Sequence, residues 1–139
     1  MVKRATATSS YVGNGVYNMT GTGQTQSWSS RRGYDRSFYL RFENDGNVAD
    51  SFGLKGCGAS TGFSVRYQGG GRDVTSAVTA GSYTTSTLQP GGAARITLVL
   101  HVKRAATIGA VKRCLVSATS VTRSTKADTI RATLKVLAR

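Results

Sequence analysis

The sequence is poor in several residue types, and each shortage excludes a class of structure. Proline occurs once among 139 residues, and Glu43 is the only glutamate. Because helix formers such as glutamate are scarce while Gly, Ser and Thr are abundant, the composition favours strands and turns. No apolar run approaches the roughly 18 residues that a membrane-spanning helix needs, since Thr97 and His101 interrupt the best one. We therefore expect no membrane insertion.

The first residues lack the apolar segment that follows the basic start of a signal peptide. Residues 1–10 are polar and basic, with nothing to bury, and they are predicted to form a tail. The remaining residues, 11–139, are long enough to form one domain with a sizeable core. Either the protein is made without a signal peptide, or the chain is a mature or excised piece of a larger one.

Groups suited to catalysis are scarce. The one histidine, His101, falls on the outward face of a predicted strand, and no two carboxylates form an obvious pair in sequence. General acid–base catalysis needs such groups in position, and a Ser or Thr nucleophile needs a neighbouring base. We therefore predict that the protein is not an enzyme and has no small-molecule substrate and no cofactor.

One turn has the composition of a metal site. Asp45, Gly46 and Asn47, with Asp50 just beyond, offer the oxygen ligands that Ca²⁺ prefers. The same residues make a good hairpin turn in which Asp50 helps to satisfy the backbone, and this second interpretation is favoured. Neither cysteine has a Cys or His at the short spacing of a zinc site. No metal is predicted.

Only two cysteines are present, Cys57 and Cys114, and they are either one disulfide or two unrelated thiols. A disulfide would close a long loop and stabilise the fold by about 4 kcal/mol in the chain-entropy model. An even count in a basic, Ser/Thr-rich β protein fits an oxidising or extracellular setting. We therefore favour the disulfide interpretation.

Charge is strongly unbalanced, with 19 Lys and Arg against six Asp and Glu and a formal charge of +13. Such a charge attracts polyanions, so acidic surfaces, glycans and nucleic acid are candidate partners. Cations spread along a chain are more often a solvated outer face. Tyr39 beside Arg41 offers part of a basic groove with a stacking aromatic. The candidate contact residues are Arg31, Arg32, Tyr39, Arg41, Arg95, Arg131 and Lys135.

Alternation of apolar and polar residues predicts the strands. Residues 37–43 place Phe38, Leu40 and Phe42 on one face. Residues 94–102 place Ile96, Leu98, Leu100 and Val102 inward and Arg95, Thr97, Val99 and His101 outward; residues 112–120 and 129–137 alternate in the same way. Seven or eight such strands with frequent turns and no helical period predict an all-β, antiparallel β-sandwich.

A series of short strings in a fixed order resembles an immunoglobulin-like (fibronectin III-like) module of bacterial surface and secreted proteins. The strings span roughly residues 11–137: Gly15-Val16-Tyr17-Asn18, Gly23-Gln24-Thr25, Asn44-Asp45-Gly46, Asp50-Ser51-Phe52, Phe63-Ser64-Val65-Arg66-Tyr67, Asp73-Val74-Thr75, Ala80-Gly81-Ser82-Tyr83, Leu88-Gln89-Pro90-Gly91, Ala118-Thr119-Ser120 and Asp128. The resemblance implies a non-catalytic, seven-stranded sandwich used as a spacer, display or adhesion unit.

The resemblance also bears on the cysteines. It implies that Cys57 ends the third strand and that Cys114 lies in the sixth, as neighbours in one sheet. Strict alternation from Phe52 and Leu54 places Cys57 on the opposite face from those residues. A bulge at Gly56 or Gly58 is then needed to turn Cys57 inward.

Three functions remain open from the sequence. The leading one is a structural or adhesive module that binds protein partners, self-assembles or attaches to other macromolecules through its basic surface. The alternatives are a virion or lattice decoration subunit and a protein that binds a polyanion, either nucleic acid or acidic glycan. The expected location is extracellular or at the cell surface, within a larger or exported assembly, with the virion as the alternative.

Overall fold

The computed structural model describes residues 1–6, 8–13 and 17–138. Within them, ten strands and one short helix follow one another along the chain. They are β1 (Val2–Arg4), β2 (Thr25–Ser30), β3 (Asp35–Glu43), β4 (Phe52–Gly56), β5 (Phe63–Gly69), β6 (Arg72–Asp73), α1 (Thr75–Ala80), β7 (Tyr83–Thr84), β8 (Ala93–Val102), β9 (Val111–Ser120) and β10 (Ala127–Val136).

The strands form two five-stranded sheets. Sheet A has the order β1-β3-β8-β5-β6, and sheet B has the order β2-β10-β9-β4-β7. This architecture confirms the predicted all-β, immunoglobulin-like sandwich. The strand count exceeds the predicted seven to eight because β1, β6 and β7 have only two or three residues each. Segments that short show no alternation for a sequence pattern to detect.

Pairing within the sheets is antiparallel with one exception. Strand β2 runs parallel to β10, from the pair of Thr25 with Arg131 to the pair of Ser30 with Val136. Strand β1 instead pairs antiparallel with β3 in the other sheet. The first 30 residues therefore contribute an edge strand to each sheet.

The core lies between the sheets and is built from the predicted inward rows. Buried side chains from sheet A include Phe38, Leu40, Phe42, Ile96, Leu98, Leu100 and Val102, and those from sheet B include Cys114, Val116, Ala118, Ile130, Leu134 and Val136. Val99 departs from the expectation for an outward residue, since it is only 6% exposed. It lies on the middle strand of sheet A, between Ser37 and Arg66 in register, where neighbours cover it.

The predicted N-terminal tail over residues 1–10 is wrong for Val2–Arg4, which form β1. Val2 is fully buried and pairs in register with Leu40, and it exchanges two backbone hydrogen bonds with Val12 of 3.1 and 3.0 Å. Met1 and Val2 are adjacent apolar residues at the start of a polar stretch and give no periodic signal, so only tertiary pairing creates this strand. Of the strings that carry the resemblance, Gly15-Val16-Tyr17-Asn18 begins on residues 15–16, which lie outside the described residues.

The loop between β3 and β4 is held by its own polar side chains. Asn44 is buried, and its Nδ2 donates to the carbonyl oxygens of Val48 (2.8 Å) and Leu88 (2.9 Å). The carboxylate of Asp50 accepts from the Ser51 N–H (2.8 Å), the Thr122 N–H (3.2 Å) and the Ser120 hydroxyl. These contacts fit the turn interpretation. No group of three or more His, Cys, Asp or Glu in the described ranges could hold a metal.

Asp50 makes stability depend on acid pH. Hydrogen bonds, chiefly from the Ser120 hydroxyl, hold the pKa of its carboxyl below the ordinary value. A group with a lowered folded-state pKa contributes stability above its unfolded pKa of about 3.9, and this contribution is lost as the pH falls further. We expect Asp50→Asn to lower the free energy of unfolding at pH 7, with a difference from wild type that shrinks below about pH 4.

Urea unfolding between pH 7 and pH 2 measures this effect. Asp45→Asn, at an exposed position in the same loop, is the matched control. A constant offset between Asp50→Asn and wild type across the whole pH range would contradict the assignment.

The burial of Val2 can be tested by removing its methyl groups. We expect Val2→Ala to reduce the free energy of unfolding by about 2 kcal/mol, since it removes buried apolar surface and leaves a cavity. Val48→Ala, at a position that is 60% exposed, should change stability by less than about 0.5 kcal/mol. Chemical denaturation measures both, and equal effects would show that the first residues do not dock.

Candidate interaction surface

The two cysteines are joined, which confirms the disulfide interpretation. Cys57 and Cys114 are bonded with their Cα atoms 5.3 Å apart, and they link the end of β4 to its neighbour β9 in sheet B. Strand β4 ends at Gly56, so alternation no longer fixes the direction of the Cys57 side chain. The Cys57 N–H still donates to the Leu115 carbonyl at 3.2 Å, which holds the two strands together at this point.

Tyr67 of sheet A reaches across the core to this disulfide. Its Oη donates to the Cys57 carbonyl at 2.8 Å and lies 3.3 Å from Sγ of Cys114. Burial raises the pKa of the Tyr67 phenol well above its ordinary value, so it stays a neutral donor. A Cβ at Gly56 would lie 2.3 Å from this Oη, so the site requires glycine there. The inward row of β5 and a glycine beside Cys57 are the only sequence signals of this contact.

The disulfide bears on the location of the protein. Disulfides persist in oxidising compartments and are rare where thiols are kept reduced. Among the residues described, no helix is long or apolar enough to cross a membrane. The disulfide is therefore an indication that the protein is exported.

The outer face of sheet A carries cations that have acidic partners. Arg41 Nε lies 3.3 Å from Glu43 Oε1, and one nitrogen of Arg66 lies 3.9 Å from Asp35. Arg41 and Arg95 face each other in register, and Lys3 lies over the ring of Tyr39 with 5.6 Å from Nζ to the ring centroid. The predicted contacts Tyr39, Arg41 and Arg95 are thus grouped on this face.

His101 also lies on the outer face of sheet A, as predicted, but it has a carboxylate partner that sequence reasoning missed. Its Nδ1 is 2.5 Å from Oδ1 of Asp35, the residue opposite it on β3. Ser64 lies opposite His101 on the other side, on β5. The contacts among the described residues include no hydrogen bond between Ser64 and His101. Register alone brings these three residues into one row.

The outer face of sheet B carries four cations, Lys55, Arg113, Arg131 and Lys135, which we call the basic face. Lys55, Arg113 and Lys135 are exposed, and Arg131 is half-buried with its Nε donating to Thr25 Oγ1 at 3.1 Å. Arg131 and Lys135 were among the predicted contacts. Sequence reasoning missed Lys55 and Arg113, although each is adjacent in sequence to an inward residue, Leu54 or Cys114, and so had to face outward.

None of the six acidic residues lies on the basic face. Asp35 and Glu43 are on the outer face of sheet A, and Asp73 is on β6 at its edge. The other three, Asp45, Asp50 and Asp128, lie at one end of the sandwich. Together with Glu43 they line a cavity of about 650 Å³ there. The chain therefore keeps its few negative charges off the basic face, although Asp128 belongs to β10 and lies at the end of that strand.

The remaining predicted contacts, Arg31 and Arg32, are exposed in the turn that follows β2. Ser30, the last residue of β2, pairs with Val136. The two arginines thus lie beyond the Lys135 end of the basic face. The seven predicted contacts do not form one patch but divide between two faces and one end.

Comparison with known proteins adds information about the fold. Neither a scan against protein-family models nor a search of curated proteins finds a match. Among solved structures, the secreted serine protease VesC from Vibrio cholerae has a TM-score of 0.52 at 14% identity, over 81% of this chain and 22% of that one. A family 123 glycoside hydrolase from Clostridium perfringens has a TM-score of 0.51 at 10% identity, over 82% of this chain and 23% of that one.

These likenesses establish a shared fold at low sequence identity. In both cases this chain spans less than a quarter of the length of the other protein. The activities that the two names describe belong to those proteins.

The disulfide should contribute a large part of the stability. We expect Cys57→Ser to reduce the free energy of unfolding by about 4 kcal/mol under non-reducing conditions, because the unfolded chain is no longer constrained. A reducing agent should lower the wild-type melting temperature and leave that of the variant unchanged. Calorimetry with and without reductant measures this, and two titratable thiols in the unfolded wild-type protein would contradict it.

Proposed function

We propose that this chain is a non-catalytic, immunoglobulin-like module that binds or assembles with acidic macromolecules through the basic face of sheet B. The observation that carries the proposal is the segregation of charge. Lys55, Arg113, Arg131 and Lys135 share a face with no carboxylate, whereas the ion pairs in the described part of the chain are all on sheet A.

The physical basis is the potential that uncompensated cations create. An ion pair on a surface cancels much of its own field, so the cations of sheet A attract a distant polyanion less than their number suggests. Cations without nearby carboxylates keep their field out to about 8 Å at physiological salt. The whole chain carries a net charge of +13, which attracts acidic partners from a distance. The basic face is the surface that such a partner would contact first.

A binding role also fits the chemistry of the other polar groups. The imidazole of His101 contacts the Asp35 carboxylate on an exposed sheet face. Within the described residues, the neighbouring Ser64 makes no hydrogen bond with His101. Nucleophilic catalysis needs that hydrogen bond between nucleophile and base. We propose accordingly that the outer face of sheet A is not an active site.

The disulfide supports an extracellular or cell-surface location for this module, within a larger or exported assembly. The resemblance of its strings to fibronectin III-like modules of bacterial surface and secreted proteins supports the same context. In that setting the sandwich would serve as a spacer, display or adhesion unit.

A lattice or virion decoration subunit is the second candidate. The observation that favours it is β2, a six-residue edge strand of sheet B without proline or charged residues. Such an edge can accept a further strand from a neighbouring subunit. A decoration subunit must form assemblies, either in solution or on an acidic shell, whereas a spacer stays monomeric. Light scattering across salt concentrations distinguishes the two candidates by their mass in solution.

The basic face can be tested against sheet A with charge-matched variants. Arg113→Gln/Arg131→Gln/Lys135→Gln and Arg41→Gln/Arg66→Gln/Arg95→Gln each remove three positive charges from one face. We expect the sheet B variant to bind dextran sulfate at least about tenfold more weakly, with a log–log salt slope reduced by about three. The sheet A variant should change affinity by less than about threefold.

Fluorescence anisotropy between 50 and 300 mM NaCl measures the affinity and the salt slope. Circular dichroism of each variant controls for folding. Equal losses in the two variants would mean that net charge alone drives binding, which would overturn the assignment of the basic face.

A further inference from the structure

We infer that the basic face takes a linear anionic polysaccharide, a sugar chain bearing sulfate or carboxylate groups, laid along β9 and β10. The inference rests on the proposed function and narrows its partner class. Three features of the outer face of sheet B carry it: the spacing of the cations, the hydroxyl groups beside them, and the absence of aromatic residues from the face.

The cations follow one another at intervals of one sheet row. Register places Arg131, Arg113 and Lys135 in three successive outward rows of β10 and β9. Rows are about 7 Å apart, since outward residues alternate along a strand that rises about 3.4 Å per residue. Duplex DNA presents about four charges in that length. A face with one cation per row therefore matches a polymer that carries far fewer charges per unit length than duplex DNA does.

Thr133 lies between Arg131 and Lys135 on β10, and further hydroxyl groups lie on the neighbouring strand β2. Ser27 lies beside Thr133 in register, and Ser29 lies beside Lys135. None of these three hydroxyls, of Ser27, Ser29 and Thr133, has a hydrogen bond within the part of the chain that the structure describes. A neutral hydroxyl can both donate and accept, which suits the alternation of hydroxyl and anionic groups along a polysaccharide.

The same face lacks what nucleic-acid binding needs. Single-strand binders stack bases on aromatic side chains, but the described residues on the outer face of sheet B include none. Trp28 and Tyr83, the aromatic residues of β2 and β7, pack against the core instead. Readout of a duplex needs an element that enters a groove, and the outer surface of these strands projects none.

The test compares three anionic polymers of matched charge: a chondroitin sulfate dodecasaccharide, oligo(dT) and poly(L-glutamate). Affinities are measured by isothermal titration calorimetry at 150 mM NaCl with the full chain. We expect the oligosaccharide to bind at least about tenfold more tightly than either of the others, because only its own hydroxyl groups can both donate to and accept from the protein hydroxyls while its anions contact the cations.

A hydroxyl-deletion variant gives a second, independent readout. Ser27→Ala/Thr133→Ala should weaken oligosaccharide binding by roughly three- to tenfold and leave binding of poly(L-glutamate) unchanged. The matched control is Ser37→Ala/Thr97→Ala, which removes one Ser and one Thr hydroxyl from the outer face of sheet A. This control should bind all three polymers as wild type does.

The outcomes separate the inference from the proposed function. Equal binding of the three polymers, preference for oligo(dT) or poly(L-glutamate), or no effect of the hydroxyl deletions would overturn the polysaccharide assignment and leave the basic face as a general polyanion site. Failure to bind any of the three at 50 mM NaCl would overturn both.

Discussion

Burial of apolar rows between the two sheets is the constraint on which the rest of the molecule depends. Each long strand turns one set of alternate residues inward, and those of β3, β8, β9 and β10 are buried almost throughout. Because the period of a strand is two residues, the burial of one set of alternate residues also determines which residues face water. The Tyr67 hydroxyl and the disulfide add a polar contact at the centre, where the hydroxyl spans the space between the sheets.

The outer faces are therefore consequences of the core. Arg113 lies outside because Cys114 lies inside, and Lys55 lies outside because Leu54 lies inside. The four cations of the basic face come from three strands, and register places Lys55 of the distant strand β4 on the same face as the cations of the consecutive strands β9 and β10. On sheet A, Arg41 and Arg66 have carboxylate partners, whereas the four cations of the basic face have none among the described residues. Two faces of one sandwich thus differ in electrostatic character although the residues of both are spread along the whole chain.

This origin explains what sequence reasoning could and could not recover. Alternation predicted the long strands, their inward residues and the sandwich class, because a half-buried sheet imposes period two on its sequence. It did not recover β1, since one buried valine has no period, nor the pairing of Asp35 with His101, which are 66 residues apart. Sequence reasoning grouped the predicted contact residues by their chemical type, whereas the fold places them on different faces of the sandwich. Alternation could not predict the direction of the Cys57 side chain, because Cys57 lies just past the end of its strand.

The parallel pairing of β2 with β10 has a mechanical consequence. Tension applied to the chain before β2 and after β10 would pull these two strands in opposite directions along their length. In parallel neighbours such tension slides one strand against the other, so the ladder hydrogen bonds from Thr25 to Ser30 are loaded together. An antiparallel pair pulled from one end would instead open one bond after another. A module with this geometry resists stretching at the junction between its first and last long strands, a property suited to a tethered spacer.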